Sequence, residues 1–211
     1  MFNKKMLLSV LIIGVVSLLA GSATWAYFQD TETSDDNTLT AGTLDLTLTN
    51  APFTLTNKEP GDLGTETQTI QNIGSLAGEL DVTFSVITNT ESTGATEFEA
   101  DGAPGELGAV AEMMVFIDVD DSTTLTQNDI VLKSDGTVIT APENPVENDY
   151  FATINSYGED DFDAAIASMG STVERDVLFK WRIPTTSDNT IQGDSVSFDV
   201  TFTLEQADVD A

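Results

Sequence analysis

The 211-residue chain has no cysteine and no histidine, and seven lysines and arginines stand against 36 aspartates and glutamates. Without cysteine there are no disulfides, so stability has to come from packing, bound ions or neighbouring subunits. The absence of both residue types excludes most transition-metal chemistry, because zinc sites lean on those ligands; an all-carboxylate site favours calcium or magnesium. The familiar zinc-peptidase pair of histidines is missing, and so is the base that would activate a serine or threonine nucleophile. A net charge of −29 repels phosphate backbones and anionic headgroups, which argues against nucleic acids and peripheral membrane docking. An acid excess with few lysines also suits a salty medium, where self-repulsion is screened within a few Å.

What is present begins with an export signal. Lys4 and Lys5 form a basic head, Met6 to Leu19 is almost wholly apolar, and Gly21 to Ala26 supplies small residues for a signal peptidase. Cleavage fits after Ala23 or after Ala26, and the Ala26–Tyr27 bond is preferred here. The apolar run is short for a helix crossing about 30 Å of hydrocarbon, so no stable membrane span is expected after cleavage. Removing residues 1–26 leaves five basic residues against 36 acids, a charge of −31. The rest is long enough for one domain with a real core.

Period-two alternation dominates that domain and marks half-buried strands. It runs through Leu44, Leu46 and Leu48; Leu80, Val82, Phe84 and Val86; Val173, Val177, Phe179 and Trp181; and Val196 to Leu204. Met113 to Ile117 is apolar without a break and reads as a mid-sheet strand. Shorter candidates lie at Thr54-Leu55, Gln68 to Ile73, Ile130 to Leu132 and Val138-Ile139, with turns at Pro60-Gly61-Asp62 and Ser134-Asp135-Gly136. Phe162, Ile166 and Met169 fall at helical spacing, so residues 160–170 are expected to form a short helix. Residues 88–108 and 140–149 read as exposed, mobile loops. Alternation places Lys180 and Arg182 opposite Trp181, which is read as core. The pattern predicts an all-β jelly roll or β-sandwich with one short helix.

Three patches resemble the TasA and camelysin family of exported matrix proteins and the related archaeal bundling pilins. They are Thr24-Trp25-Ala26-Tyr27-Phe28-Gln29-Asp30 with Ala41 to Leu46; Pro60-Gly61-Asp62 with Asn72-Ile73-Gly74-Ser75-Leu76; and Gln192-Gly193-Asp194-Ser195 with Phe202 to Gln206. The resemblance implies a signal peptide over 1–26, a donor-strand segment over 27–38 and a jelly-roll domain over 39–211. It implies a subunit of an extracellular or biofilm-matrix filament that polymerises with its own kind, Tyr27, Phe28, Gln29, Asp30, Thr31 and Thr33 being donated as a strand to the next copy. An anchoring or nucleating matrix protein and a dedicated signal peptidase would be its other partners. Camelysin-like members are described as metallopeptidases; with no histidine to hold zinc, the chain is expected not to be an enzyme. A monomeric surface-binding module is the alternative, and a secreted metallopeptidase comes third.

One acidic stretch has metal-ligand spacing. Asp118, Asp120, Ser122, the Thr124 carbonyl and Asp129 fall in the register of a twelve-residue calcium loop, with Thr126 reaching through water. Thr123 stands where the sharp turn wants glycine, and Asp129 replaces the usual glutamate. Calcium is therefore the expected cofactor, if any.

Overall fold

The computed structural model describes residues 3–4, 42–49, 58–91, 105–188, 191 and 193–206. The chain forms two compact units, Met1–Thr40 and Ala41–Ala211, and every element below lies in the second. The expected signal peptide, its cleavage residues Ala26 and Tyr27, the donor segment and the Thr54-Leu55 strand lie outside the described residues.

In chain order the strands are β1 Leu46–Thr49, β2 Leu63–Asn72, β3 Gly78–Phe84 and β4 Thr88–Thr90. A one-turn helix, α1 Leu107–Val110, then precedes β5 Glu112–Asp118, β6 Ile130–Leu132, β7 Val138–Thr140 and β8 Ala152–Thr153. The last four strands are β9 Asp161–Met169, β10 Glu174–Arg182, β11 Ser195–Ser197 and β12 Val200–Glu205. A large sheet runs β1-β2-β10-β5-β6-β7 with β8 added to β5; a three-stranded sheet runs β12-β3-β9; β4 and β11 form a separate ribbon. All of these pairings are antiparallel. The expected all-β sandwich is what forms.

The two larger sheets meet through one core. Met113, Val115, Ile117, Val177, Phe179 and Ile70 from the large sheet pack with Leu80, Val82, Phe84, Phe162 and Met169 from the small one. The opposite face of the large sheet is also covered: Met114, Phe116, Val131 and Leu178 lie under Leu125, Ala141, Tyr150 and Phe151. Two apolar faces explain why β5 reads as an unbroken hydrophobic run, since a strand buried on both sides has no polar alternation. On β10, Trp181 turns inward and is 6% exposed. Lys180 and Arg182 turn outward, Lys180 pairing with Glu147 and Arg182 Nε with Glu112 Oε2 at 2.5 Å.

Residues 160–170 are not helical. They form β9, and the register explains the mistaken period: Val82 faces Phe162, Leu80 faces Ile166 and Gly78 faces Met169. Each step of two residues on β3 is matched by four and then three on β9, so two irregularities insert the extra residues of β-bulges. Ala164 takes a positive φ of 50° within this distorted stretch. Apolar residues spaced by four and three mimic a helix period while lining one face of a bulged strand. The expected loop at 88–108 likewise contains β4 and the first two residues of α1, and Ala141 in the second expected loop is 3% exposed. Among the described residues no helix is long and apolar enough to cross a membrane.

Candidate functional site

Asp118 ends β5 and Asp129 precedes β6, so the turn between adjacent strands folds the acidic loop back on itself. Asp118, Asp120 and Asp129 each bring a carboxylate oxygen within 4.8 Å of the others. Asp118 and Asp129 are fully buried, and their charges are met by the loop's own backbone. Asp118 Oδ1 accepts the N–H of Asp120 at 3.1 Å and of Ser122 at 3.3 Å, and its Oδ2 accepts that of Thr123 at 2.6 Å. Asp129 Oδ1 accepts Val119 N–H at 2.9 Å, and Oδ2 accepts Thr126 N–H at 2.7 Å. Hydrogen bonding from Ser122, then from Thr126, holds the Asp120 carboxyl below the usual range. The Ser122 hydroxyl donates to the Thr124 carbonyl at 2.8 Å, so these two predicted ligands bond to each other. Thr123 makes the sharp turn with φ 61°, in the place where glycine was missed.

A second acidic group was not singled out from the sequence. Glu91, Glu106 and Asp194 lie 15 or more residues apart along the chain, yet one carboxylate oxygen from each falls within 4.8 Å of the others. Only Asp194 sits in a stretch that the family resemblance marks, and nothing in the spacing connects it to the other two. Among the described residues a third group, Glu79, Asp81 and Asp163, lies on the surface of β3 and β9.

A donated strand needs an open sheet edge to receive it. Among the described residues β12 pairs only with β3, so its outer edge carries no strand. Val200, Phe202 and Leu204 are partly buried and pack against the main core. On the facing sheet Leu48, which shares Ile70's face through their direct pairing, is 48% exposed. The strand-end motif at 72–76 has a structural cause. Asn72 is fully buried, its Nδ2 donating to the Leu76 and Met169 carbonyls at 2.8 and 2.9 Å while its Oδ1 accepts Gly74 N–H at 3.0 Å. That turn grips the lead-in to β1: Ser75 and Leu76 N–H donate to Thr43 O at 2.9 and 3.1 Å, and Thr43 N–H donates to Ser75 Oγ at 2.9 Å. Patches that are distant in the sequence, Gly42 to Leu46 and Asn72 to Leu76, are thus one contact.

A family model described as camelysin metallo-endopeptidase matches residues 1–211, the whole chain. The chain belongs to that family. No curated protein matches it significantly. The family's description points to a peptidase and overturns the expectation of a non-enzymatic chain. That expectation rested on missing histidines, but carboxylates also hold metals.

The donor chemistry of this camelysin-family chain limits which metal fits. With no histidine or cysteine, zinc's usual ligands are absent; carboxylate and carbonyl oxygens suit a hard cation such as calcium. Calcium–oxygen distances near 2.4 Å place ligands on opposite sides about 4.8 Å apart, so either the loop or the Glu91 group is of a size to surround one ion.

Proposed function

We propose that the chain is an exported, extracellular matrix subunit that polymerises by donor-strand complementation, residues 27–38 of one copy adding to the β12 edge of the next. The observation that carries this reading is that, among the described residues, β12 pairs only with β3 and leaves its outer edge without a strand. Free N–H and C=O groups along an edge are a template for an incoming strand, and alternate side chains of that strand need apolar places to sit. Val200, Phe202, Leu204 and the half-exposed Leu48 offer such places between the two sheets. Family membership supports a matrix or camelysin-like protein and is compatible with this role.

Deleting Tyr27 to Asn37 is expected to leave a folded, non-polymerising subunit, because the clasp at Thr43 and every strand from β1 onward are retained. A synthetic peptide of residues 27–38 is then expected to bind the deleted protein and block its acceptor edge. Electron microscopy showing filaments of unchanged length from the deletion would sink the proposal.

A second reading rests on the family's description as metallo-endopeptidases. When bound, a hard cation polarises a peptide carbonyl or lowers the pKa of a water. In this chain Glu91, Glu106 and Asp194, or Asp118, Asp120 and Asp129, are the carboxylates that would hold it. Casein cleavage that stops on adding a chelator supports this activity; cleavage indifferent to chelator, or none, counts against it. The two roles are compatible in one subunit.

A further inference from the structure

We infer that two polar side chains on the core-facing side of the large sheet, Gln68 and Trp181, read the strand donated by the next copy, and that this strand enters with Tyr27, Gln29, Thr31 and Thr33 facing them. The inference rests on donor-strand polymerisation and adds to it which face of the donor turns inward and what chemistry selects that face.

Sheet order and register place the two residues. β9 touches β6 and β7, so β12, at the other end of the three-stranded sheet, lies toward β1 and β2. A strand added outside β12 therefore runs over β2. β1 pairs with β2 from Thr69 to Asn72, so among the described residues the stretch Leu63 to Gln68 pairs with β10 alone. Directly opposed residues share a face of the sheet. Gln68 is opposite Val177 and Gly64 opposite Trp181, so Gln68 and Trp181 face the space between the sheets, as the core residue Val177 does. The indole sits against Gly64, where a Cβ would come within 2.7 Å of the ring, and Lys58 Nζ stands 5.1 Å from the ring centroid.

Both side chains carry a polar atom that the fold does not match. Gln68 is 8% and Trp181 6% exposed, and neither Gln68 Oε1 nor Trp181 Nε1 has a hydrogen-bond partner. Buried polar groups are nearly always paired, and Asn72, on the same face of β2, has both ends of its amide met. The unmatched atoms belong to the part of β2 and β10 that β1 does not reach. Both are shut off from water, so solvent does not supply the partners; a strand wedged between the sheets does. Gln68 Oε1 needs a donor and Trp181 Nε1 an acceptor. A carboxylate cannot donate and a cation cannot accept, whereas an uncharged hydroxyl or amide does both. Period two sorts the donor segment in these terms. Tyr27, Gln29, Thr31 and Thr33 carry a phenol, an amide and two hydroxyls, while Phe28, Asp30, Glu32 and Ser34 carry both acids. Turning the first set inward satisfies the two atoms and leaves Asp30 and Glu32 in water, where burial does not penalise their charge.

The test is assembly of the full exported protein, with electron microscopy for filaments, sedimentation for the critical concentration, and thermal melts below that concentration. Gln29→Met with Thr31→Val keeps volume but removes the inward polar groups, and is expected to raise the critical concentration about tenfold or more. Asp30→Asn with Glu32→Gln, on the outward face, is expected not to raise it. Gln68→Met is expected to raise it about fivefold while melting at or above the wild-type temperature, because it removes a buried acceptor that the single copy leaves unpaired. Trp181→Phe, which removes the N–H, is expected to raise it as well. Filaments that disappear on deleting Tyr27 to Asn37 but form normally from Gln68→Met, Trp181→Phe or the Gln29 and Thr31 pair would overturn this assignment and leave donor-strand exchange standing. Filaments that survive the deletion, or none from wild type, would bring down both. A greater loss from the Asp30 and Glu32 pair would show that the opposite face enters, and Gln68→Met melting below wild type would mark a side chain needed for the fold; either result overturns the inference.

Discussion

Replacing Asn72 by alanine tests how the domain holds its first strand. The side chain makes three hydrogen bonds, to the Leu76 and Met169 carbonyls and from Gly74 N–H. Backbone bonds of Asn72 itself, from its N–H to Val173 O at 3.0 Å and from Thr172 N–H to its carbonyl at 2.8 Å, survive the change. A typical bond contributes about 1 kcal/mol net, but buried groups left without partners cost about 1–3 kcal/mol each. The buried Met169 carbonyl would lose this partner, whereas Gly74 N–H keeps its bond to Asp45 O at 3.2 Å and the Leu76 carbonyl lies at a partly open position and can turn to water. The expected loss is therefore about 2–3 kcal/mol, a large part of a stability on the order of 5–15 kcal/mol. With a urea slope on the order of 2 kcal/mol/M, the unfolding midpoint should fall by about 1–1.5 M with the slope unchanged. A fall smaller than about 0.5 M would show that the turn at 72–76 holds without its asparagine, and the reasoning would fail.

Two further outcomes follow from backbone geometry and titration. Thr123→Gly is expected to stabilise the protein by up to about 1 kcal/mol, because a β-branched residue at φ 61° is strained by about 1–2 kcal/mol and glycine returns part of that as unfolded-state entropy; an unchanged or lower Tm would refute it. Burial pushes the Tyr157 phenol above its ordinary value of 10.0, so its contribution is complete below about pH 10 and is lost as the pH rises further, where the unfolded state gives up its proton and the folded one resists. Tyr157→Phe should flatten the alkaline limb of a stability–pH curve, and identical limbs would contradict the assignment.

Much of the sandwich was legible because one-sided burial writes itself as alternation: β3, β10 and β12 announce their inward residues at every second position. β5 was legible for the opposite reason, its unbroken apolar run reporting burial on both faces. β9 was misread because bulges change the spacing of inward side chains without changing the strand, and Phe162, Ile166 and Met169 carry a helix's period on an extended backbone. The acidic loop could be read because its ligand types fall within twelve consecutive residues. The Glu91 group could not, since its members meet only through the pairing of Thr90 with Ser195 and the capping of α1 by Asp194. Such a site is a product of register, and a single sequence does not display register. The absence of histidine narrows the ligands a metal could use, but it does not decide catalysis, and the family's description points to a peptidase.

The grip of residues 73–76 on the chain entering β1 also has a mechanical meaning. Thr43 and Asp45 are held by five hydrogen bonds from the turn, Ser75 and Leu76 N–H to Thr43 O, Ile73 and Gly74 N–H to Asp45 O, and Thr43 N–H to Ser75 Oγ. β1 then continues antiparallel to β2 over four residue pairs. Tension applied to the chain upstream of Gly42 runs along this strand, so its hydrogen bonds are sheared together and must yield as a group, where a peeled edge would open one bond at a time. In a filament linked through residues 27–38, the load would reach this clasp before it reached the core, and the buried amide of Asn72 would act as the rivet that sets the breaking force.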